Sequence, residues 1–173
     1  MHIGIAGAGI GGLTAALCLH ERGFSVRVYE AVDAISPLGV GINVMPHASA
    51  ILRDLGLAEV LDATAIQTRC IEYRTRYGHL IQSDPRNMAA GFAAPQYSVH
   101  RGELQFLLLD AVKERLGGNA VITGKKVSGF SQDEAVVTVH FADGDSAECD
   151  LLIGADGLHS AIRAQIHPDE GPL

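Results

Sequence analysis

Residues 2–6, HIGIA, form a short apolar run of the kind that predicts a strand buried on both faces. Leu13, Ala16, Leu17 and Leu19 then recur at helical spacing, and Gly23 is placed to end that helix with a positive φ. Val26, Val28 and Tyr29 predict a second strand closed by Glu30. The order strand, helix, strand is that of a βαβ unit. A loop is expected over residues 31–42, then a helix over 46–55, where Ala48, Ile51, Leu52 and Leu55 share one face and Gly56 follows. Another apolar stretch covers 57–61.

From residue 65 the period changes. Ile71, Tyr73, Thr75 and Tyr77 alternate with polar residues, which predicts a strand with one wet face. Gly78-His79 turns the chain and 80–82 returns, an antiparallel excursion in place of a further βα unit. Residues 84–95 read as a loop. A strand fragment at 97–100 leads to a helix whose apolar face is Leu104, Leu107, Leu108, Ala111, Val112 and Leu116. Residues 121–123 predict a short strand of the main sheet. Segments 126–132, 135–142 and 147–149, with Asp143-Gly144 between the last two, predict an antiparallel meander. Residues 150–153 read as another buried strand and 158–166 as a helix. The fold expected is α/β: a Rossmann-like, three-layer dinucleotide-binding domain with a parallel sheet, an added β-meander and a β excursion over 65–95.

Composition narrows the class. With 173 residues and 47% hydrophobic positions the chain supports one domain with a real core. No apolar run approaches the ~20 residues of a membrane span. The first strand follows Met1 directly, leaving no room for a signal peptide, so a cytoplasmic location is expected. A net charge of −7 without a basic block argues against a nucleic-acid partner. Cys18, Cys70 and Cys149 are odd in number and far apart, as for buried or half-buried free thiols in a reducing compartment. The eight histidines show no metal-ligand spacing, so no metal site is expected.

The chemistry begins at Gly7, Gly9 and Gly12, which fall at G-x-G-x-x-G spacing between strand and helix. Gly7 allows the sharp turn, Gly9 lets a pyrophosphate approach the backbone, and Gly12 lets helix and sheet pack closely. The free N–H groups and the positive end of the helix dipole face the phosphates. Glu30 stands about 20 residues downstream, where a carboxylate accepts from ribose hydroxyls. The unit does not choose between FAD and NAD(P). The proline and glycines at 36–41 suit either a flat ligand or an ordinary connection. Arg101, just before the expected helix, is either a surface arginine or awaits a counter-anion. Asp156, in Gly154-Ala155-Asp156-Gly157, lies at a strand end where open α/β sheets bind ligands, though Asp-Gly is also a common turn.

The set GAGIGG at 7–12, Glu30, PLGVGIN at 37–43, HRGEL at 100–104 and DLLIGADGLHSAIR at 150–163 resembles the single-component FAD-dependent aromatic hydroxylases of the para-hydroxybenzoate hydroxylase type. It is most similar to the branch of salicylate and phenazine hydroxylases. The resemblance covers the chain and implies that residues 1–173 are the N-terminal, incomplete part of an FAD-binding domain, with 65–95 entering the substrate-binding sheet. It implies that Gly7, Gly9 and Gly12 face the FAD pyrophosphate and Glu30 the adenosine ribose. Val40 and Gly41 would lie along the flavin through their backbone, Arg101 would meet the FAD phosphate or ribityl region, and Val127 would touch the adenine. Asp156 would serve FAD and the passing NAD(P)H. Two departures stand out. Ser36 and Pro37 occupy the place where many members carry an arginine, and the second flavin motif, a Gly-Asp followed by small residues and histidine, is absent.

The activity so implied is hydroxylation of a small aromatic substrate with NAD(P)H and dioxygen, without membrane or nucleic-acid partners. No side chain in these residues is assigned as catalytic. Two alternatives stay open: a cofactor-binding fragment without turnover, and an NAD(P)-dependent dehydrogenase, which would predict further regular βα units after Glu30.

Overall fold

The computed structural model describes residues 1–37 and 39–170. Leu38, within the glycine loop, and residues 171–173, at the end of the expected domain, lie outside the described residues. The chain divides into two compact units, Met1–Ser36 with Gln105–Leu173, and Pro37–Leu104.

The first unit is built on the predicted βαβ. Strand β1 (His2–Ala6), helix α1 (Ile10–Glu21) and strand β2 (Ser25–Tyr29) follow the expected order. Ile3, Ile5 and Ala6 are fully buried, and so are Leu13, Ala16 and Leu17 of the helix. Gly23 takes φ 81° and ends α1, its N–H donating to the His20 carbonyl at 2.8 Å.

The remaining elements are introduced in chain order. They are β3 (Gly41–Val44), α2 (Pro46–Asp54), α3 (Ala58–Thr64), β4 (Ile66–Thr68), β5 (Cys70–Arg74), β6 (Leu80–Pro85) and β7 (Gln96–His100). Then come α4 (Arg101–Leu116), β8 (Val121–Ile122), β9 (Val127–Gln132), β10 (Val137–Phe141), β11 (Ser146–Cys149), β12 (Leu151–Gly154) and α5 (Ala161–Ile166). The main sheet has the order β12-β1-β2-β8, all parallel. The meander β11-β10-β9 is antiparallel and shares a core with it. Ala6 and Tyr29 from the sheet meet Val127, Val139, Phe141 and Cys149 from the meander and Ile162 from α5. The Tyr29 and Phe141 rings lie 4.9 Å apart and tilted by 58°, a favourable aromatic geometry.

The second unit holds the sheet β3-β7-β4 and the hairpin β5-β6. Strand alternation puts Val44, Tyr97 and Val99 on one buried face, where α2 packs against β7. Four side chains, Arg53 of α2, Asp62 of α3, Gln67 of β4 and Tyr97 of β7, form one network. Tyr97 Oη donates to Asp62 Oδ1 at 2.5 Å, Arg53 Nη1 donates to Tyr97 Oη at 3.2 Å, and Gln67 Nε2 donates to the same Asp62 oxygen at 2.7 Å.

Several expectations are corrected. The loop over 31–42 ends earlier, because Gly41 and Ile42 pair with His100 and Val99 as part of β3; a partner strand supplied the order that the local pattern lacked. The apolar stretch at 57–61 is the start of α3. The strand expected through Tyr77 stops at Arg74, because Thr75 Oγ1 accepts the N–H groups of Tyr77 and His79 and turns the chain. The last helix begins at Ala161 rather than 158, at the position where Ser160 caps it. Residues 151–154 form an edge of the sheet rather than a strand buried on both sides, and Leu151 is 44% exposed. Arg101 is the first helical residue, not a preceding one. Of the three free thiols, Cys149 is buried and Cys18 half-buried, but Cys70 is exposed at the start of a hairpin with a wet face. Burial pushes the Cys149 thiol up from its usual value. Among the described residues no helix is long and apolar enough to cross a membrane.

Asp62 sets a pH limit on the second unit. The Tyr97 hydroxyl, then Gln67, hold its carboxyl below the usual 3.8. A carboxylate with a depressed folded pKa stabilises the fold above its unfolded pKa, and that contribution is lost as pH falls through the folded value. Acid unfolding monitored in this unit is therefore expected to steepen below about pH 4. Asp62→Asn is expected to flatten that segment of the stability curve; an unchanged acid limb would refute the assignment.

Candidate functional site

The turn after β1 is closed by backbone rather than by side chains. Gly7 sits at φ 100°, and its N–H donates to the Tyr29 carbonyl at 2.7 Å. A Cβ on Gly7 would stand 2.4 Å from the Ala155 carbonyl oxygen, and one on Gly12 would stand 2.0 Å from the Gly7 carbonyl oxygen. Neither backbone can yield by such amounts, so both positions require glycine. Gly9 is different. It has ordinary extended backbone, φ −73° and ψ 176°, and a Cβ there would meet nothing within 4 Å. Gly11 also faces open space. Gly9 and Gly11 thus leave open space beside the helix terminus.

That terminus has unspent donors. Leu13 N–H reaches the Gly9 carbonyl, but among the described residues the N–H groups of Ile10, Gly11 and Gly12 have no partner, and no side chain caps α1. Helix α5 gives the contrast. Asp156 Oδ2 accepts the N–H groups of Ala161 at 2.7 Å and Ile162 at 3.3 Å, Ser160 Oγ accepts that of Arg163 at 2.9 Å, and the Ser160 carbonyl accepts that of Ala164 at 3.2 Å. Every N-terminal donor of α5 is satisfied from within the chain. The donors of α1 are left for a ligand rich in acceptors, as a pyrophosphate is.

Glu30 binds the same turn. Its Oε2 accepts the Ala8 N–H at 2.7 Å and its Oε1 the Val32 N–H at 3.2 Å. The carboxylate is thereby fixed at the end of β2, beside the glycine turn. Gln105 of α4, which the sequence did not single out, donates from Nε2 to the Ala8 carbonyl at 2.8 Å. The turn is held on one side by an acid and on the other by an amide. Only the residue type of Gln105, one turn into a helix, pointed to it.

Asp156 lies beside this turn through its backbone, its Cα 3.1 Å from where a Gly7 Cβ would stand. Its carboxylate, however, is committed to α5, with Ser160 Oγ donating to Oδ1 at 2.6 Å in addition to the two backbone donors. Val127 is 7% exposed at the start of β9, two residues after Lys125, whose N–H donates to the Glu30 carbonyl at 2.8 Å. Gly7, Gly9, Gly12, Glu30 and Asp156 are thus gathered in the first unit. In the second unit, Arg101 N–H donates to the Val40 carbonyl at 3.0 Å, and Gly41 pairs with His100. Gly39, at φ 130°, lies under the Arg101 stem, a Cβ there being 3.1 Å from Arg101 Cβ. The guanidinium is exposed, and among the described residues no hydrogen bond or ion pair engages it. Val40, Gly41 and Arg101 therefore form a second group. Among the described residues no three His, Cys, Asp or Glu side chains are placed to hold a metal.

A parallel sheet, a glycine turn that only glycine can make, free helix donors and an acid at the next strand end define a dinucleotide-binding protein. The chain belongs to the FAD binding domain family, whose model matches residues 1–171. It is 51% identical over 176 residues to phenazine 1,6-dicarboxylic acid hydroxylase PhzS of Lysobacter antibioticus, a match covering 98% of this chain and 43% of that protein. It is 35% identical over 172 residues to 3-amino-4-hydroxybenzoate 2-monooxygenase of Streptomyces cremeus, covering 98% and 43%. Klebsiella pneumoniae HpxO, solved with FAD and uric acid, superposes with a TM-score of 0.82 at 36% identity, covering 95% of this chain and 41% of that one. The chain thus spans about 43% of the length of the curated relatives it matches. The cofactor left open between FAD and NAD(P) by the βαβ pattern is FAD, and the dehydrogenase alternative is set aside.

The two glycine types separate experimentally. Gly12→Ala is expected to cost about 3 kcal/mol or to prevent folding, because the added carbon meets backbone. Gly9→Ala is expected to change stability by less than about 0.5 kcal/mol, because the added carbon meets only open space. Asp156→Ala is expected to cost about 1–2 kcal/mol through loss of the α5 cap. Urea unfolding of the three variants checks the order; equal losses for Gly9 and Gly12 would refute it.

Proposed function

We propose that the chain is the FAD-holding, N-terminal portion of a monooxygenase that hydroxylates a small aromatic substrate with NAD(P)H and dioxygen. The observation that carries the reading is the contrast between the two helix termini: α5 is satisfied internally, while α1 keeps three free N–H groups beside the open Gly9 and Gly11. The residues fit the cofactor. Gly7 and Gly12 shape the turn, Gly9, open to solvent, is assigned to the pyrophosphate, and Glu30, held by the Ala8 N–H, is assigned to the ribose hydroxyls. Arg101 is assigned to the phosphate or ribityl region, supported by its unpartnered guanidinium, with Val40 and Gly41 along the flavin and Val127 at the adenine. Asp156 acts through the backbone that it positions, since its carboxylate is used in capping α5.

FAD, when bound, supplies the electron and oxygen transfer, and the chain's own residues hold and orient it. The substrate class, an aromatic or heteroaromatic acid, is supported by the 51% identity to a hydroxylase of a phenazine dicarboxylic acid. Residues 65–95 are read as the first excursion into a substrate-binding sheet. By itself, a chain spanning about 43% of its relatives is read as binding the cofactor without turnover.

Titration of the chain with FAD, followed by quenching of flavin fluorescence, tests cofactor binding. Arg101→Gln is expected to weaken binding about tenfold, the scale of one charge-assisted contact. A full-length protein should show NAD(P)H oxidation coupled to ring hydroxylation. Absence of FAD binding in that protein, or oxidation that no aromatic acid stimulates, would overturn the proposal.

A further inference from the structure

Glycines shape the turn after β1, but one residue between them is held by side chains. Ala8 is fully buried, so its N–H and its C=O each need a partner within the protein. Neither finds one in the main chain. Helix α1 begins only at Ile10, and the first helical N–H, that of Leu13, goes to the Gly9 carbonyl at 3.0 Å rather than to that of Ala8. The Ala8 N–H instead donates to Glu30 Oε2 at 2.7 Å, and the Ala8 carbonyl accepts from Gln105 Nε2 at 2.8 Å. These partners lie 22 and 97 residues away along the chain. A carbonyl only accepts, so the NH₂ end of the Gln105 amide is the end that faces it.

The bond from Gln105 fixes more than Ala8. The Ala8 carbonyl and the Gly9 N–H belong to one peptide unit, which is planar and trans, so the N–H points opposite to the C=O. With the carbonyl turned to Gln105, the Gly9 N–H is turned away from it. The acceptors around the turn are already engaged: the Tyr29 carbonyl by the Gly7 N–H at 2.7 Å, the Ala6 carbonyl by the Ala155 N–H at 2.8 Å, and the Gly9 carbonyl by Leu13. Among the described residues nothing accepts the Gly9 N–H, and a Cβ on Gly9 would meet nothing within 4 Å. The Gly9 N–H is thus one more free donor at this terminus, and its direction is set from the other side of the same peptide.

We propose that Gln105 is a positioning residue for the cofactor: it locks the Ala8–Gly9 peptide with its N–H outward, so that Gly9 donates to the pyrophosphate without first reorienting. The inference rests on the assignment of the pyrophosphate to this terminus. Glu30 does not do the same work. It holds the Ala8 N–H, which belongs to the preceding peptide, and the two planes turn independently about the soft dihedrals of Ala8. Without Gln105 the Ala8 carbonyl is a buried acceptor in search of a donor. Its ordinary helical donor is the Gly12 N–H, four residues on, and that bond would consume a group left for the ligand.

Two variants separate positioning from bulk. Gln105→Leu removes the donor, and Gln105→Glu donates only when protonated. A carboxyl facing a carbonyl is favoured in its neutral form, so its pKa lies above the ordinary ~4.3, and it gains the proton and the bond as pH falls from about 8 to about 5. FAD affinity of the chain is read by flavin fluorescence quenching. Gln105→Leu is expected to weaken it about fivefold at both pH values. Gln105→Glu is expected to bind more weakly than Gln105→Leu at pH about 8, and at pH about 5 to bind more tightly than Gln105→Leu, within about twofold of wild type. Relief of charge repulsion alone would bring it only to the level of Gln105→Leu. In the ligand-free, isotope-labelled chain, the Ala8 carbonyl ¹³C and Gly9 amide ¹⁵N shifts are expected to move together over that pH range in Gln105→Glu and to stay still in wild type; this reading needs neither FAD nor the Leu variant. Wild-type affinity in Gln105→Leu, equal affinity of the two variants at the lower pH, or Ala8 and Gly9 shifts that ignore pH would each overturn the proposal. A wild-type chain that fails to bind FAD sinks the cofactor reading, whereas wild-type binding with indifferent Gln105 variants sinks this inference alone.

Discussion

The close approach of backbone to backbone at Gly7, Gly12 and Ala155 is the constraint on which the first unit depends. Two hypothetical methyl groups, at 2.4 and 2.0 Å from carbonyl oxygens, measure how little room there is. That contact brings the end of β12 against the turn after β1, as the Ala155 N–H donating to the Ala6 carbonyl at 2.8 Å also shows. A turn held by main chain does not move when side chains change rotamer. It therefore keeps the α1 donors aimed in one direction before any ligand arrives, and pre-organisation of this kind reduces the ordering cost of binding.

The electrostatics follow from where donors are spent. Helix α5 is shorter than α1 and draws on Asp156 and Ser160 for its stability, so its dipole is answered internally. Helix α1 is stabilised instead by burial of Leu13, Ala16 and Leu17, and can leave its first N–H groups unpaired at the surface. Packing strength at one place permits unsatisfied polarity at another.

In the second unit the ordering element is polar. Tyr97, fully buried, carries its hydroxyl to Asp62 and Arg53, and so ties α2 and α3 to β7. Ser49 adds a bond from the same helix to the Pro95 carbonyl at 2.5 Å. β7 leads directly into α4, so the network also fixes the strand from which Arg101 emerges.

The sequence by itself determined the βαβ unit, the spacing of Gly7, Gly9 and Gly12, the acid at Glu30, the meander and the hairpin. Each of these rests on local periodicity or on a turn that one residue type makes best. Short elements were not legible. β3 and β4 exist because β7 lies between them, and no short window announces a partner 28 or more residues away. Tertiary structure alone decided that Gly9 is open while Gly12 is closed, although both are glycines in one motif. It alone decided that the Asp156 carboxylate belongs to α5 and that Gln105 grips the turn. The physical reason is common to all: spacing specifies which residues a strand or helix presents, but vacancy and partnership depend on what the distant chain brings against them.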